Sequence, residues 1–194
     1  SLSTDSGEEV STREVKKILE DCIGAENKKK PLTDDKLAKI LKEKTHLCSS
    51  SRTDSGVHAL GLVAHFKTKN LLSDHKIKHA LNFYLPRDIL VHSAKTVPDS
   101  FHARFHAKSK RYRYDIWNSP TRPLFEAPFV LWYPHRLRLA LMRRAASYLK
   151  GRHDFSAFKD KGDDRSTVRN IKRLTVRKDG PLIRIRIEGD GFLT

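Results

Sequence analysis

Residues 182–188 set the fold class. Ile183, Ile185 and Ile187 alternate with Arg184, Arg186 and Glu188, the period of two that gives a strand one apolar and one polar face. Asp179-Gly180 supplies turn chemistry just upstream, and residues 171–177 supply a second extended arm, so this region predicts an antiparallel hairpin. A longer extended stretch is predicted over residues 101–118, where Tyr112, Tyr114 and Ile116 share one face and Arg111, Arg113 and Asp115 the other. Further strands are predicted over 62–69 and 89–97. Helical spacing falls between them. Thr12 caps a predicted helix with Val15, Ile18, Leu19 and Cys22 on one side, stopping at Gly24, and Thr33 caps another with Leu37, Ile40 and Leu41. Ser73 and Asp74 open a third, with Ile77, Ala80 and Leu81, closed by Pro86. Residues 135–150 form a fourth, with Leu137, Leu141, Ala145, Tyr148 and Leu149 as its apolar stripe. Strands next to strands with helices interspersed predict an α+β fold, an antiparallel sheet with helices on one face. Loops are expected at 25–31, 119–128 and 159–168, and there is no internal repeat.

The chain has 194 residues and a formal net charge of +16, from 39 Lys and Arg against 23 Asp and Glu. Such an excess has two readings, a solvated surface kept for solubility or a footprint for phosphates, and nucleic acid is the commoner cause. An anionic membrane would call for cations beside a Trp- and Phe-rich apolar face, which the basic runs lack. The longest apolar stretch, residues 127–133, is far short of the roughly 20 residues that span a bilayer. Cys22 and Cys48 form no CxxC pair and read as packed or idle thiols in a reducing compartment. The first residue is Ser1, so the lack of a signal peptide carries no weight.

Three segments could carry chemistry. In Arg52-Thr53-Asp54-Ser55-Gly56-Val57-His58, a carboxylate sits in a glycine-containing loop. Arg52 could hold Asp54 ionised or grip a phosphate, and Gly56 lets the backbone approach a ligand. A turn-making or helix-capping Asp is the plain alternative. The second segment interleaves Lys108, Lys110, Arg111 and Arg113 with Tyr112 and Tyr114. Cations grip phosphate and an aromatic face stacks on a base. The alternative is a pair of half-buried sheet tyrosines, favoured for Tyr114. The third is the histidines. His102 and His106 on one strand would stand roughly 13 Å apart at ~3.3 Å per residue, too far to share an ion, so no metal site is expected. Ser55, His58 and Asp54 lie too close in sequence for a hydrolase triad. There is no GxSxG elbow, P-loop or GxGxxG segment.

Five blocks, in order, resemble the tRNA pseudouridine synthase A (TruA) family. The first is Ser51-Arg52-Thr53-Asp54-Ser55-Gly56-Val57-His58-Ala59-Leu60-Gly61 with Val63-Ala64-His65-Phe66, and Leu85-Pro86-Arg87-Asp88-Ile89 is the second. Phe101-His102-Ala103-Arg104-Phe105 with Lys110-Arg111-Tyr112-Arg113-Tyr114 follows. Gly151, His153-Asp154-Phe155-Ser156-Ala157-Phe158 and Arg169-Asn170-Ile171 resemble later blocks, and Gly189-Asp190-Gly191-Phe192-Leu193 the last. The resemblance covers residues 46–194.

The resemblance implies the pseudouridine synthase fold, two similar RRM- or ferredoxin-like halves around a central cleft. It implies isomerisation of uridine to pseudouridine in the tRNA anticodon stem-loop, at positions 38, 39 or 40, by a homodimer without a cofactor. Asp54 matches the family's essential Asp, as nucleophile or base. Arg52 would order Asp54 and contact RNA, and Tyr112 would stack on the target base. Lys108, Lys110 and Arg111 are the expected contacts to the RNA backbone. The expected organisation is a tail over 1–12, an N-terminal half over 13–98 and an incomplete C-terminal half over 99–194. The family's first strand, with a YDG…GWQ-type segment, has no match here. The family's helix with an MVRN-type motif, whose Arg pairs with the catalytic Asp, would follow residue 194. Truncation at both ends is therefore expected, and a non-catalytic RNA-binding remnant is the alternative function. No membrane partner is expected. The cytoplasm is the expected compartment, with an organelle the other option.

Overall fold

A computed structural model of the chain describes residues 34–51, 53, 56–159 and 166–193, with the backbone alone for 15–22 and Lys36. It divides into two compact units, residues 1–107 and 108–194. The predicted tail over 1–12 and linker over 25–31 lie outside the described residues.

The first unit runs β1 (Val15–Cys22), α1 (Asp34–Leu41), β2 (Cys48–Ser49), β3 (Ala59–Lys67), α2 (Asp74–Tyr84) and β4 (Ile89–Val97). Its four-stranded sheet has the order β2-β3-β1-β4, with every pair antiparallel. This β-α-β-β-α-β succession is the split βαβ arrangement of ferredoxin-like folds. The helix expected over 12–24 is corrected here, because residues 15–22 form β1. Local spacing in that segment fits a helix, but β1 occupies a central place and pairs with β3 on one side and β4 on the other. Backbone pairing along both edges outweighs a weak local preference.

The predicted helices α1 and α2 are present. Leu37, Ile40 and Leu41 of α1, with Ile77 and Leu81 of α2, close over Phe66 and Val91 from the sheet, all of them buried. Ser73 caps α2 by accepting the Lys76 N–H at 3.4 Å. Asp74, in the first turn, accepts the Thr96 N–H at 3.0 Å and its hydroxyl at 2.8 Å, fastening α2 to β4. Asn82 takes the Val91 N–H at 2.7 Å and donates to the Val91 carbonyl at 3.0 Å, so one side chain satisfies both backbone groups of an edge-strand residue.

The second unit runs β5 (Lys110–Trp117), β6 (Leu131–Trp132), α3 (Leu139–Tyr148), β7 (Gly151–Asp154), β8 (Val168–Asp179) and β9 (Leu182–Gly189). The sheet order is β6-β5-β9-β8-β7, parallel only between β5 and β6. β8 and β9 are the hairpin foreseen from the alternation. Ile183 is fully buried and packs with Ile116, Leu174, Val176 and Ala146.

Two expectations are corrected in this region. Only residues 110–117 of the predicted 101–118 strand are extended, because residues 103–106 form a turn closed by the His106 N–H on the His102 carbonyl at 2.9 Å. The apolar face of α3 is Leu139, Met142, Ala146 and Leu149, whereas Leu141 and Tyr148 are exposed. Both sets have helical spacing, and packing on the sheet selects the one that meets it. Among the described residues, no helix is long and apolar enough to cross a membrane.

Candidate active site

The segment with the candidate carboxylate links two paired strands of the first unit. Cys48 lies opposite His65 and Ser49 opposite Ala64. The ladder continues one step beyond β2, where the Ser50 N–H donates to the Val63 carbonyl at 2.8 Å, and the Ser49 hydroxyl donates to the Ser51 carbonyl at 2.8 Å. β3 begins at Ala59. Thr53, Gly56 and Val57 are exposed. Gly56 has φ +82°, a left-handed conformation that side chains disfavour. Arg52 and Asp54, the residues expected to do chemistry, lie outside the described residues, as does Ser55.

The anchor of this segment is well defined. Asp34, at the start of α1, accepts the Leu47 N–H at 2.8 Å and meets His46 Nδ1 at 2.9 Å. The Leu47 N–H, and next His46, hold the Asp34 carboxyl below the usual carboxylate range. One residue on, Cys48 Sγ sits 3.8 Å from His102 Nε2, and the His102 ring lies 4.8 Å from that of His65, centroid to centroid.

Cys48, His65 and His102 each offer a ligand atom, all within 4.8 Å of one another. The expected wide separation of His102 and His106 along a strand is corrected separately, since the turn at 103–106 brings the His102 N–H to 3.2 Å from His106 Nδ1. The His65 and His102 imidazoles are nonetheless already engaged by backbone N–H groups. His65 Nδ1 accepts the Ala103 N–H at 3.2 Å, and His102 Nδ1 accepts the N–H groups of Arg104 and Phe105 at 3.3 Å each. Those donors place each ring proton on Nε2, and a neutral imidazole cannot bind metal through a protonated nitrogen. The cluster therefore works as a hydrogen-bonded brace, with His102 donating toward the sulfur. Burial, and next the neighbouring His102, push the His65 pKa down, which keeps that ring neutral. From the sequence, Cys48 reads as a packed or idle thiol, and the structure has it packed against His102. The only signal for the brace was the FHARF block, whose turn was taken for a strand.

In the second unit, β5 distributes its cations over two faces. Tyr112 is 42% exposed, and its ring meets Phe192 edge-on at 4.8 Å between centroids. The KRYRY and GDGF blocks, distant in sequence, thus meet at one end of the sheet. Gly189 lets β8 and the Phe192 ring close on this strand end, because a Cβ there would stand 3.1 Å from Ile171 Cδ1, 3.2 Å from the Asn170 carbonyl and 3.4 Å from Phe192 Cζ. Tyr114 is exposed, not half-buried as expected. By strand alternation Lys110 shares the side of Tyr112, whereas Arg111 projects from the other side. There Arg111 donates to Glu188 through Nε at 3.2 Å and Nη2 at 2.9 Å. Arg111, and next Ser109, hold Glu188 below its ordinary pKa. Lys108 is exposed, and its carbonyl accepts from Lys172 Nζ at 2.9 Å.

Comparison with known proteins points in one direction. A family model described as tRNA pseudouridine synthase matches residues 4–106 and 145–194, two segments that flank β5. The tRNA pseudouridine synthase A of Thermoanaerobacter sp. (strain X514) is 46% identical over 162 residues, covering 81% of this chain and 65% of the relative. That of Geobacillus kaustophilus (strain HTA426) is 42% identical over 153 residues, covering 77% and 58%. A tRNA pseudouridine synthase A 2 of Bacillus anthracis is 39% identical over 158 residues, covering 81% and 64%. The chain spans a little under two thirds of the length of these relatives.

Proposed function

Because this chain belongs to the tRNA pseudouridine synthase family, we propose that it isomerises uridine to pseudouridine in the tRNA anticodon stem-loop, at positions 38, 39 or 40, with Asp54 as the essential group. One observation carries the reading: the described residues Thr53, Gly56 and Val57 of the SRTDSGVHA segment are exposed, and β2 and β3 on either side of it are held together by ladder bonds, with the Cys48–His102 brace beside them. A carboxylate on such a link can reach a nucleotide drawn out of the helical stack.

The reaction breaks the bond from N1 of uracil to C1′ of the ribose, turns the base, and joins C5 to C1′. The C5 hydrogen leaves as a proton. No electrons enter or leave and no group is imported, so no cofactor is called for. Asp54 acts either by attacking C1′ and later yielding to C5, or by taking a ribose proton in an elimination. Arg52 keeps that carboxylate ionised and oriented. Tyr112 stacks on the target base, a contact worth roughly 1–3 kcal/mol, and the cationic surface takes up tRNA phosphates. A homodimer is the assembly that goes with this reading.

Tritium at C5 of uridine provides the test. Incubated with tRNA so labelled, the protein should release tritium to water in proportion to the pseudouridine formed. Salt-sensitive tRNA binding with no release over many hours would instead identify a non-catalytic RNA-binding remnant.

A further inference from the structure

The sheet of the second unit has an arginine face, of which only Arg111 is among the RNA contacts expected from the sequence. Three rows cross β5, β9 and β8. Arg111, Glu188 and Arg173 form the first, Arg113, Arg186 and Thr175 the second, and Asp115, Arg184 and Arg177 the third. The opposite face carries the isoleucines and is packed against α3. Six of these nine side chains are arginines and two are acids. Asp115 is held between Arg113 at 3.4 Å and Arg184 at 3.3 Å, and Glu188 binds Arg111. Among the described residues, Arg173, Arg177 and Arg186 have no carboxylate within ion-pair distance, and all three are exposed.

Stability does not account for this pattern. Arg113 stands directly opposite Arg186, and Arg177 opposite Arg184. Like charges facing each other across strands destabilise a sheet. Neighbouring strands are ~4.8 Å apart and same-face residues ~6.8 Å apart along a strand, which is comparable with the step between successive phosphates of a nucleic-acid strand. A shallow cavity of ≈ 90 Å³ opens among Arg111, Arg173, Thr175, Arg177, Arg186, Ile187 and Glu188, whose one carboxylate is already paired with Arg111, room for one phosphate group. The planar guanidinium fork suits that anion.

We infer that this face binds the phosphate backbone of the RNA substrate, as a contact surface on the side of the sheet opposite Tyr112. A lipid headgroup surface fits less well. Thr175 is the only uncharged side chain of the nine, and membrane-binding faces interleave apolar residues. The inference rests on tRNA being the substrate.

The test uses the triple variant Arg173→Gln, Arg177→Gln, Arg186→Gln, which leaves Asp115 and Glu188 with their partners. Equilibrium binding to an unmodified tRNA transcript is measured over a range of KCl concentrations, alongside the triple variant Arg173→Lys, Arg177→Lys, Arg186→Lys. The Gln triple should bind about tenfold more weakly, with a log–log salt slope shallower by about 2, as expected for three lost phosphate contacts. The Lys triple should keep the parent's slope, which separates loss of charge from misfolding. Affinity within twofold of the parent at an unchanged slope overturns the inference. So does a Gln triple that loses binding to phosphatidylserine vesicles while its tRNA affinity stands. A parent without tRNA affinity overturns both this inference and the proposed reaction. A parent that binds tRNA through these arginines but releases no tritium supports the face and defeats only the reaction.

Discussion

Asp54→Asn should abolish pseudouridine formation, by at least about a thousandfold in single-turnover rate, and leave tRNA affinity within about threefold of the parent. The substitution keeps the size and shape of the side chain and removes its charge. Both routes open to Asp54 need the carboxylate as an electron-pair donor, to carbon in one and to a proton in the other. Removing a nucleophile or essential base costs factors of this order or more. Affinity should survive because the cations are spread over the chain, with a net charge of +16 to which one Asp contributes little. A rate within tenfold of the parent would show that the carboxylate is not the reacting group. A parallel collapse of affinity would make Asp54 a residue that shapes the RNA site.

The second large effect is on folding. Phe66→Ala should destabilise the first unit by about 3–5 kcal/mol, a large share of the ~5–15 kcal/mol that holds an ordinary domain together. Phe66 is fully buried among Leu37, Ile77, Leu81 and Val91, where the sheet meets both helices. It also stands beside His65 on β3, so loosening it frees the strand that anchors the candidate loop. Phe83→Ala is the control. That ring is 82% exposed, and its removal should shift the urea midpoint hardly at all, within about 0.5 kcal/mol. Equal losses from the two variants would contradict the assignment of the core.

Where pattern and environment agree, the fold could be read ahead of the structure. The alternation of Ile183, Ile185 and Ile187 specified a strand with one buried face, and β9 has it. The 73–86 segment carried a cap, an apolar stripe and a terminating proline, and α2 lies within it. Failures came where two solutions share one local pattern. Val15, Ile18, Leu19 and Cys22 repeat as a helix would, but a vacancy between β3 and β4 draws that segment into the sheet. On α3 two stripes compete, and only contact with β8 decides between them. The 101–109 segment lost its extended form to backbone N–H groups captured by the His102 ring, an interaction with no sequence period. The brace formed by Cys48, His65 and His102 was illegible for the same reason, since its members are 17 and 37 residues apart in sequence. For the candidate site, the family resemblance pointed to the Asp54 loop and to Tyr112 as the tyrosine proposed to stack on the base. Physical alternation alone separated Arg111 from Tyr112, and the structure adds the pairing of Arg111 with Glu188 and of Tyr112 with Phe192.

The most direct measurement maps pseudouridine in an unmodified tRNA transcript after incubation with a stoichiometric amount of the protein. New pseudouridine is expected in the anticodon stem-loop with the parent and none with Asp54→Asn. A transcript left unmodified by the parent under conditions where it binds, or modified equally by both proteins, would contradict it.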